Sequence, residues 1–311
     1  MLTLVLLLSL VSPRLVEGWF CDGHMLVAQL ALDSGIMSPA TISAAGELIA
    51  LLVPFYPDTG SSFTEAACWA DDLKARDAYQ EADWHFIDLP VCKLASGACP
   101  QPGSADNAVW AIKNAQTTVF SAKAVQLDKA RQLRFMIHIV GDIHQPLHAA
   151  SYFSSQFPAG DRGGNSWPVS GFPWTSELHA LWDGGLGLWY DDIPRPLNAT
   201  GLAWVKDMSA SIMKAYPVAS LQPYINIYNA SAWANESFAF AESFVYTAPQ
   251  APATIPADYS EFLFQYYFSA RGWLPFPPPR PPNPPQILCP LSHPPFCCPL
   301  SLSSKLPMGK A

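Results

Sequence analysis

From His24 onward the apolar positions of the chain recur every three or four residues, in blocks separated by proline, glycine and serine. That spacing gives each helix one apolar stripe to turn toward a core. Residues 24–33 read as a first helix, stopped by Gly35. Ser38-Pro39 offers an N-cap followed by proline at the first helical position, so a second helix runs to about Leu52, where Pro54 and Pro57 break it. A third starts near Ser62 or Thr64 and carries Asp71 in its middle. Residues 84–89 are too short for a helix and read as extended, presenting His85 and Asp88, and 90–105 form a loop bearing Cys, Gly and Pro. Two longer helices follow over about 105–124 and 128–144. Residues 150–174 lack a helical period, and Thr175 then caps a short helix holding His179 and Asp183. Later helical stretches cover about 200–216, 230–246 and 257–270. With no strong period-two run and no internal repeat, the predicted fold class is mainly α, in one globular domain over 19–274.

Both ends depart from this pattern. Leu2 to Val11 is an apolar run of ten residues, too short to span a bilayer but matching a signal-peptide core. Although no Lys or Arg precedes it, Val16 and Gly18 are suitable small residues for cleavage before Trp19, so 1–18 are read as a secretory signal. From Pro275 the sequence is proline-rich and cannot continue a helix, so 275–311 read as a disordered tail in which His293 is functionally silent.

Composition narrows the class. Apolar residues make up 50% of the 311, enough for a sizeable core, while charged residues are 14% against a usual share of about 25%. The formal net charge of −8 excludes a basic surface that holds nucleic acid by counterion release, so a phosphate-bearing substrate would have to be drawn by local metal charge. Seven cysteines in an exported chain suggest disulfides. Cys92 and Cys99 could close a short loop; Cys21 and Cys68 lie near His24 and Asp71, and a bridge between them is reasonable if those two share a site. Cys289, Cys297 and Cys298 in the tail are left unpaired. Asn198-Ala-Thr, Asn229-Ala-Ser and Asn235-Glu-Ser are glycosylation sequons. Export to the extracellular space or a secretory-pathway lumen, vacuolar included, is expected, with no stable membrane association and a monomeric chain.

The chemistry concentrates in Phe135-Met-Ile-His-Ile-Val-Gly-Asp-Ile-His-Gln-Pro-Leu-His148. His138 and Asp142, four apart, point from one face of a helix, and Pro146 should end it, leaving His148 to swing back from the following turn. Imidazoles and a carboxylate in an apolar segment are costly to bury uncompensated, and a divalent cation such as zinc suits that donor set. His179-Ala-Leu-Trp-Asp183 repeats the spacing; Asp71 sits in Cys-Trp-Ala-Asp, and His85 in Asp-Trp-His-Phe-Ile-Asp. A lone His–Asp pair is usually a satisfied core hydrogen bond, but most of the chain's histidines share this pattern.

Taken together, Trp19-x4-His24, Trp-Ala-Asp71, His85-Phe-Ile-Asp88, His138-x3-Asp142-x5-His148 and His179-x3-Asp183 resemble the S1/P1 nuclease family over roughly 19–270. The resemblance implies three zinc ions in a helical fold, with phosphodiesters of single-stranded DNA and RNA cut to 5′-nucleotides and 3′-nucleotides as further substrates. It assigns Asp71, His85, His138 and Asp142 to one zinc, and His148, His179 and Asp183 to a second. The third would take His24, Asp142 as a bridge, and the α-amino nitrogen and carbonyl oxygen of Trp19. It makes Phe86 and Asp88 the base-binding pair, Lys74 a cation on the phosphate side, and Asn165 a contact near the scissile phosphate, with Asp71, Lys74 and Asn165 as the catalytic set. His144 supports the site without ligating. The regular final helix expected of the family is altered here, where Phe268-Ser-Ala-Arg-Gly-Trp-Leu runs into the proline tail. Two rivals are a zinc phospholipase C, which has a similar fold and ligand set, and a secreted zinc-binding glycoprotein that has lost catalysis. Phe86-Ile-Asp88, Lys74 and Gly-Gly-Asn165 favour the nuclease.

Overall fold

The computed structural model describes residues 19–247, apart from 75, 96, 102, 188–192 and 222–227. The expected signal peptide, the helix over 257–270, the proline-rich tail, its cysteines and His293 lie outside the described residues.

The described chain is mainly helical. Helix α1 (Cys21–Asp33) starts three residues before the expected His24, and α2 (Pro39–Ala50) starts where sequence placed it. The hydroxyl of Ser38 accepts from the backbone N–H of Thr41 while Pro39 sits at the first turn. The expected third helix is two. Ser62 and Glu65 form a capping box on α3 (Phe63–Ala66), the chain turns at Ala67-Cys68, and α4 (Trp69–Lys74) carries Asp71. The break takes the Ala67 carbonyl out of the helical ladder and lets it accept a bond from His138. Across the same turn Cys68 is tied to Cys21 of α1 by a disulfide.

Residues 84–89 are not extended throughout. A 3-10 turn over Ala82–His85 leads into a short strand, β1 (Leu89–Cys92). After the antiparallel pair α5 (Ala108–Phe120) and α6 (Gln126–Ile143), Pro146 does more than end α6. It opens a one-turn helix, α7 (Pro146–Ala149), whose N-cap Gln145 accepts from the backbone N–H of Leu147, and His148 sits in that turn. Strand β2 (Ala150–Phe153) follows and pairs in parallel with β1, Leu89 opposite Ala150 and Cys92 opposite Phe153. Sequence missed this sheet. It brings the His85 segment alongside the His148 segment, and Ile87 N–H donates to His148 O at 2.8 Å.

Helix α8 (Leu178–Asp183) starts from Glu177 rather than Thr175, whose hydroxyl instead accepts from Glu177 N–H in the preceding turn. Helices α9 (Ala199–Ala215) and α10 (Ala230–Ser243) end the helical set among the described residues. One core joins α4, α5, α6 and α10 through Trp69, Ile112, Phe135, Ile139 and Trp233. A second gathers Leu147, Trp167, Trp182, Phe240 and Val245 under the sheet. Full burial of each such side chain contributes about 1.5–3 kcal/mol, which offsets the polar cluster held between the two cores. Cys92–Cys99 closes the loop after β1. Among the described residues no helix is long and apolar enough to cross a membrane.

Candidate metal centre

Eight of the nine residues expected to ligate metal converge through their side chains. They come from α1 (His24), α4 (Asp71), the 3-10 turn (His85), α6 (His138, Asp142), α7 (His148) and α8 (His179, Asp183), and fall into three groups able to hold an ion. All of these histidines, with Asp142 and Asp183, are buried.

In the group around His138 and Asp142, His85 Nδ1 is 3.5 Å from Asp71 Oδ1 and 2.9 Å from Asp142 Oδ2. His138 Nε2 is 3.5 Å from Asp71 Oδ1, 3.2 Å from Asp142 Oδ2 and 3.1 Å from His85 Nδ1. A tetrahedron of N and O ligands at about 2.0–2.2 Å from zinc has edges of about 3.3–3.6 Å; the two 3.5 Å spacings to Asp71 match it, and the 2.9–3.2 Å spacings among His85, His138 and Asp142 would open by a few tenths of an ångström around an ion. In the group on α7 and α8, His148 Nε2 and His179 Nε2 lie 3.1 Å apart, with Asp183 carboxylate oxygens 3.8 Å from the former and 3.4 Å from the latter.

The tautomers sharpen the test. His138 Nδ1 donates to Ala67 O, His148 Nδ1 to His85 O and His179 Nδ1 to Gly163 O, at 2.5–2.6 Å. In the neutral ring each Nε2 is then a bare lone pair. The Nε2 atoms of His148 and His179 thus point their lone pairs at each other, an arrangement that only a proton or a cation relieves. Burial holds His148 below its usual pKa, which disfavours the proton. In the third group, His24 with Asp71 and His138, neither ring nitrogen of His24 finds a hydrogen bond among the described residues, nor does neighbouring Asp142 Oδ1, 3.2 Å from His24 Nε2. Buried polar atoms without partners are costly, and a shared cation satisfies both. The side chains fit divalent zinc.

The charges agree. Burial would lift Asp142, but His138 and His148 outweigh it and hold its carboxyl well below the usual range. Asp71 is depressed in the same way, by Lys74 and then His138. Burial opposes charging of His138, yet Asp142 and Asp71 raise it to about 10, so in the absence of a metal a proton takes up the positive charge the site demands. His85 falls to about 4 through burial and then Lys74.

Trp19 is buried beside this cluster. Its indole N–H donates to Gly141 O, Phe20 N–H donates to Asp183 O, and a Cβ at Gly141 would lie 2.9 Å from His24 Nδ1. Buried Lys74 places Nζ 2.8 Å from Asp71 Oδ1. Gly163 and Gly164 both have positive φ, and a Cβ at Gly163 would collide with the Leu147 carbonyl, so glycine is what lets this loop reach His179. Next to them the Asn165 amide donates to Arg162 O. Phe86 and Asp88, with Ile87, Asp83, Gly103, Ser104 and Asn107, line a cavity of 230 Å³. Burial, and then Asp161, lift Asp88 to about 7. His144 lies outside the three groups, donating to Val140 O with its ring against Trp233 of α10.

The residues that orient the ligands were not foreseen. They are the carbonyls of Ala67, His85 and Gly163, and Gln145, fully buried, which donates to Asp183 Oδ1 at 2.7 Å. Gln145 was the one detectable in sequence, as a polar residue inside the apolar His144-Gln-Pro-Leu-His148 run.

The S1/P1 Nuclease family model matches residues 19–267. Nuclease S1 of Aspergillus oryzae is 30% identical over 179 residues, covering 56% of this chain and 56% of that protein. Endonuclease 3 of Arabidopsis thaliana is 29% identical over 184 residues (56% and 57%), and Nuclease P1 of Penicillium citrinum 28% over 169 (53% and 57%). The chain thus spans about half the length of the curated relatives it matches. With the match to the family model running over most of the chain, and three His/Asp groups built from the same stretches, the chain belongs to the S1/P1 nuclease family.

Proposed function

We propose that the chain is a secreted, monomeric, zinc-dependent nuclease that hydrolyses phosphodiesters of single-stranded DNA and RNA to 5′-nucleotides and removes 3′-phosphate from 3′-nucleotides. The facing lone pairs of His148 and His179, beside buried Asp142, carry this reading, because they call for cations at a site that also holds a buried lysine and an aromatic cavity. Asp71, His85, His138 and Asp142 would hold one zinc; His148, His179 and Asp183 a second; His24, Asp142 and the backbone amine and carbonyl of Trp19 a third. The last assignment requires cleavage before Trp19, because an amide nitrogen is a poor ligand and a free amine a good one.

The chemistry that zinc supplies when bound is a lowered pKa for water and neutralisation of charge on phosphoryl and leaving oxygens. The chain's own groups do the rest. Lys74, beside Asp71, places a point charge for a phosphoryl oxygen, with less angular control than the fork of an arginine. The Asn165 amide offers a further contact at the phosphate. The Phe86 ring stacks on a base and Asp88 accepts from base N–H groups; stacking of this kind is worth about 1–3 kcal/mol and tolerates any sequence. A duplex keeps its bases stacked and paired, so this contact favours single strands. Asn198, Asn229 and Asn235 are exposed and would carry glycans; Asn198 and Asn229 also cap α9 and α10 through Oδ1.

The test is release of 5′-nucleotides from single-stranded DNA by the secreted chain, with and without a zinc chelator. Release that the chelator abolishes, with duplex DNA cut far more slowly, is expected. A zinc-loaded, folded chain that leaves single-stranded DNA intact but hydrolyses lecithin would replace this reading with a phospholipase.

A further inference from the structure

The base cavity continues onto an exposed ring that the proposed chemistry does not use. Asn107 lines the cavity and caps α5, its Oδ1 accepting from the N–H groups of Val109 and Trp110. Ala108 N–H donates to Phe86 O at 3.0 Å, which fixes the start of α5 to the residue whose ring forms the other wall. Trp110 lies one turn beyond Asn107 on the same helix face, about 5–6 Å away between Cβ atoms. Its ring leans on Trp84, with centroids 5.4 Å apart and planes at 56°, and Trp84 is braced in turn by Phe135 at 4.9 Å. Trp110 nonetheless remains 38% exposed.

A lone exposed tryptophan is ordinary. This one packs on Trp84, which Phe135 braces in turn, and its helix starts at the wall of a cavity sized for a single ring system. At 230 Å³ that cavity is smaller than the roughly 300–1,000 Å³ of sites that enclose whole drug-sized ligands. A base in it leaves the neighbouring nucleotide outside. The step from Asn107 to Trp110 suits the next base of an extended strand, whose spacing exceeds the 3.4 Å per nucleotide of a stacked helix. Lys113, exposed and one further turn along, adds a cation on the same face, its Nζ 3.2 Å from Ser231 Oγ. Asp83, which lines the cavity, repels phosphate, so stacking rather than charge must hold the strand here.

We infer that Trp110 is a second stacking platform, which binds the unpaired base adjacent to the one in the Phe86 cavity and gives the site a preference for strands over mononucleotides. This rests on the nuclease reading and extends it to a subsite.

The experiment compares the zinc-loaded full chain with Trp110→Ala and Trp110→Phe on thymidine 3′-monophosphate and on an eight-residue oligothymidylate. Trp110→Ala should raise KM for the oligomer about 5- to 150-fold, the loss of one stacked base. It should leave kcat/KM for the mononucleotide unchanged, while Trp110→Phe keeps most of the oligomer affinity. An equal effect on both lengths, or none on either, would overturn the platform. Should Trp110→Ala fail to bind zinc at the wild-type stoichiometry, Trp110→Leu, ringless but still packed on Trp84, is read by the same criterion. Anisotropy of a labelled phosphorothioate oligothymidylate separates this inference from the one it rests on. A wild-type chain that cleaves neither substrate refutes the nuclease, and Trp110 is then judged by whether the oligomer binds wild type more tightly than Trp110→Ala.

Discussion

At the scale of single residues the site is decided by where protons can sit. Each of three histidines gives its Nδ1 proton to a backbone carbonyl, which leaves three Nε2 lone pairs turned inward. The His-to-Asp spacings were legible in sequence because a four-residue step on a helix is a geometric fact, and it held for both His138–Asp142 and His179–Asp183. The carbonyl partners were not legible, since every residue has a carbonyl and only the fold chooses which one is offered. Gln145 illustrates the remainder. Its side chain is polar in a segment the chain buries, but its bond to Asp183 depends on two helices meeting. Gln145→Leu should lower zinc affinity at the His148/His179/Asp183 group by about 10–100-fold while the chain stays folded, measured by competition with a chelating dye. Asp88 gives a stability prediction with a definite sign. Its folded pKa, about 7, lies above the ordinary aspartate value of 3.8, so the native state binds a proton more tightly than the unfolded chain does. Stability from this group is present at pH 4 and is lost as pH rises toward 7, by at most about 4 kcal/mol and less given its partial exposure. Asp88→Asn should therefore raise Tm at pH 8 and change it little at pH 4; a larger gain at pH 4 would contradict the assignment.

Among elements, interruptions matter more than helices. Periodicity located α1, α2, α5, α6, α9 and α10 to within a few residues, because each carries a long apolar stripe. It did not show that the third helix divides at Ala67-Cys68, since Ala-Ala-Cys-Trp is compatible with unbroken helix and the demand for the Ala67 carbonyl arises only from α6. Nor did it show β1 and β2, where four residues each give no alternation to read, and where Pro90 argues against a strand until it is seen at an edge. These short pieces carry His85, Asp71 and His148 into place. The Cys21–Cys68 bridge fastens α1 to the α3–α4 turn across 47 residues, a closure worth about 4 kcal/mol on chain entropy. Replacing both cysteines by alanine should lower stability by about 2–5 kcal/mol in denaturant titrations and weaken the group that contains His24. Metal affinity at the His148/His179/Asp183 group, which the bridge does not touch, should change least.

Over the whole molecule, His and Asp side chains spread from His24 to Asp183 meet in three groups able to hold an ion, in a chain of net charge −8. Such a protein has no general affinity for polyanions, so attraction of a nucleic acid must come from the centre itself. Sequence conveyed this balance and the identity of the cluster; how Asp142 comes to lie beside both His24 and His85 emerges only from α1, the 3-10 turn and α6 packing around one carboxylate. The proposed three-ion centre predicts a metal stoichiometry for a chain prepared to begin at Trp19. Elemental analysis of purified protein, paired with Asp142→Ala, tests it most directly. Three zinc ions per chain are expected, with the loss of more than one ion, and of nuclease activity, on removal of the shared carboxylate. A wild-type chain holding one zinc or none, or an Asp142→Ala variant that keeps all three and remains active, would contradict the centre described here.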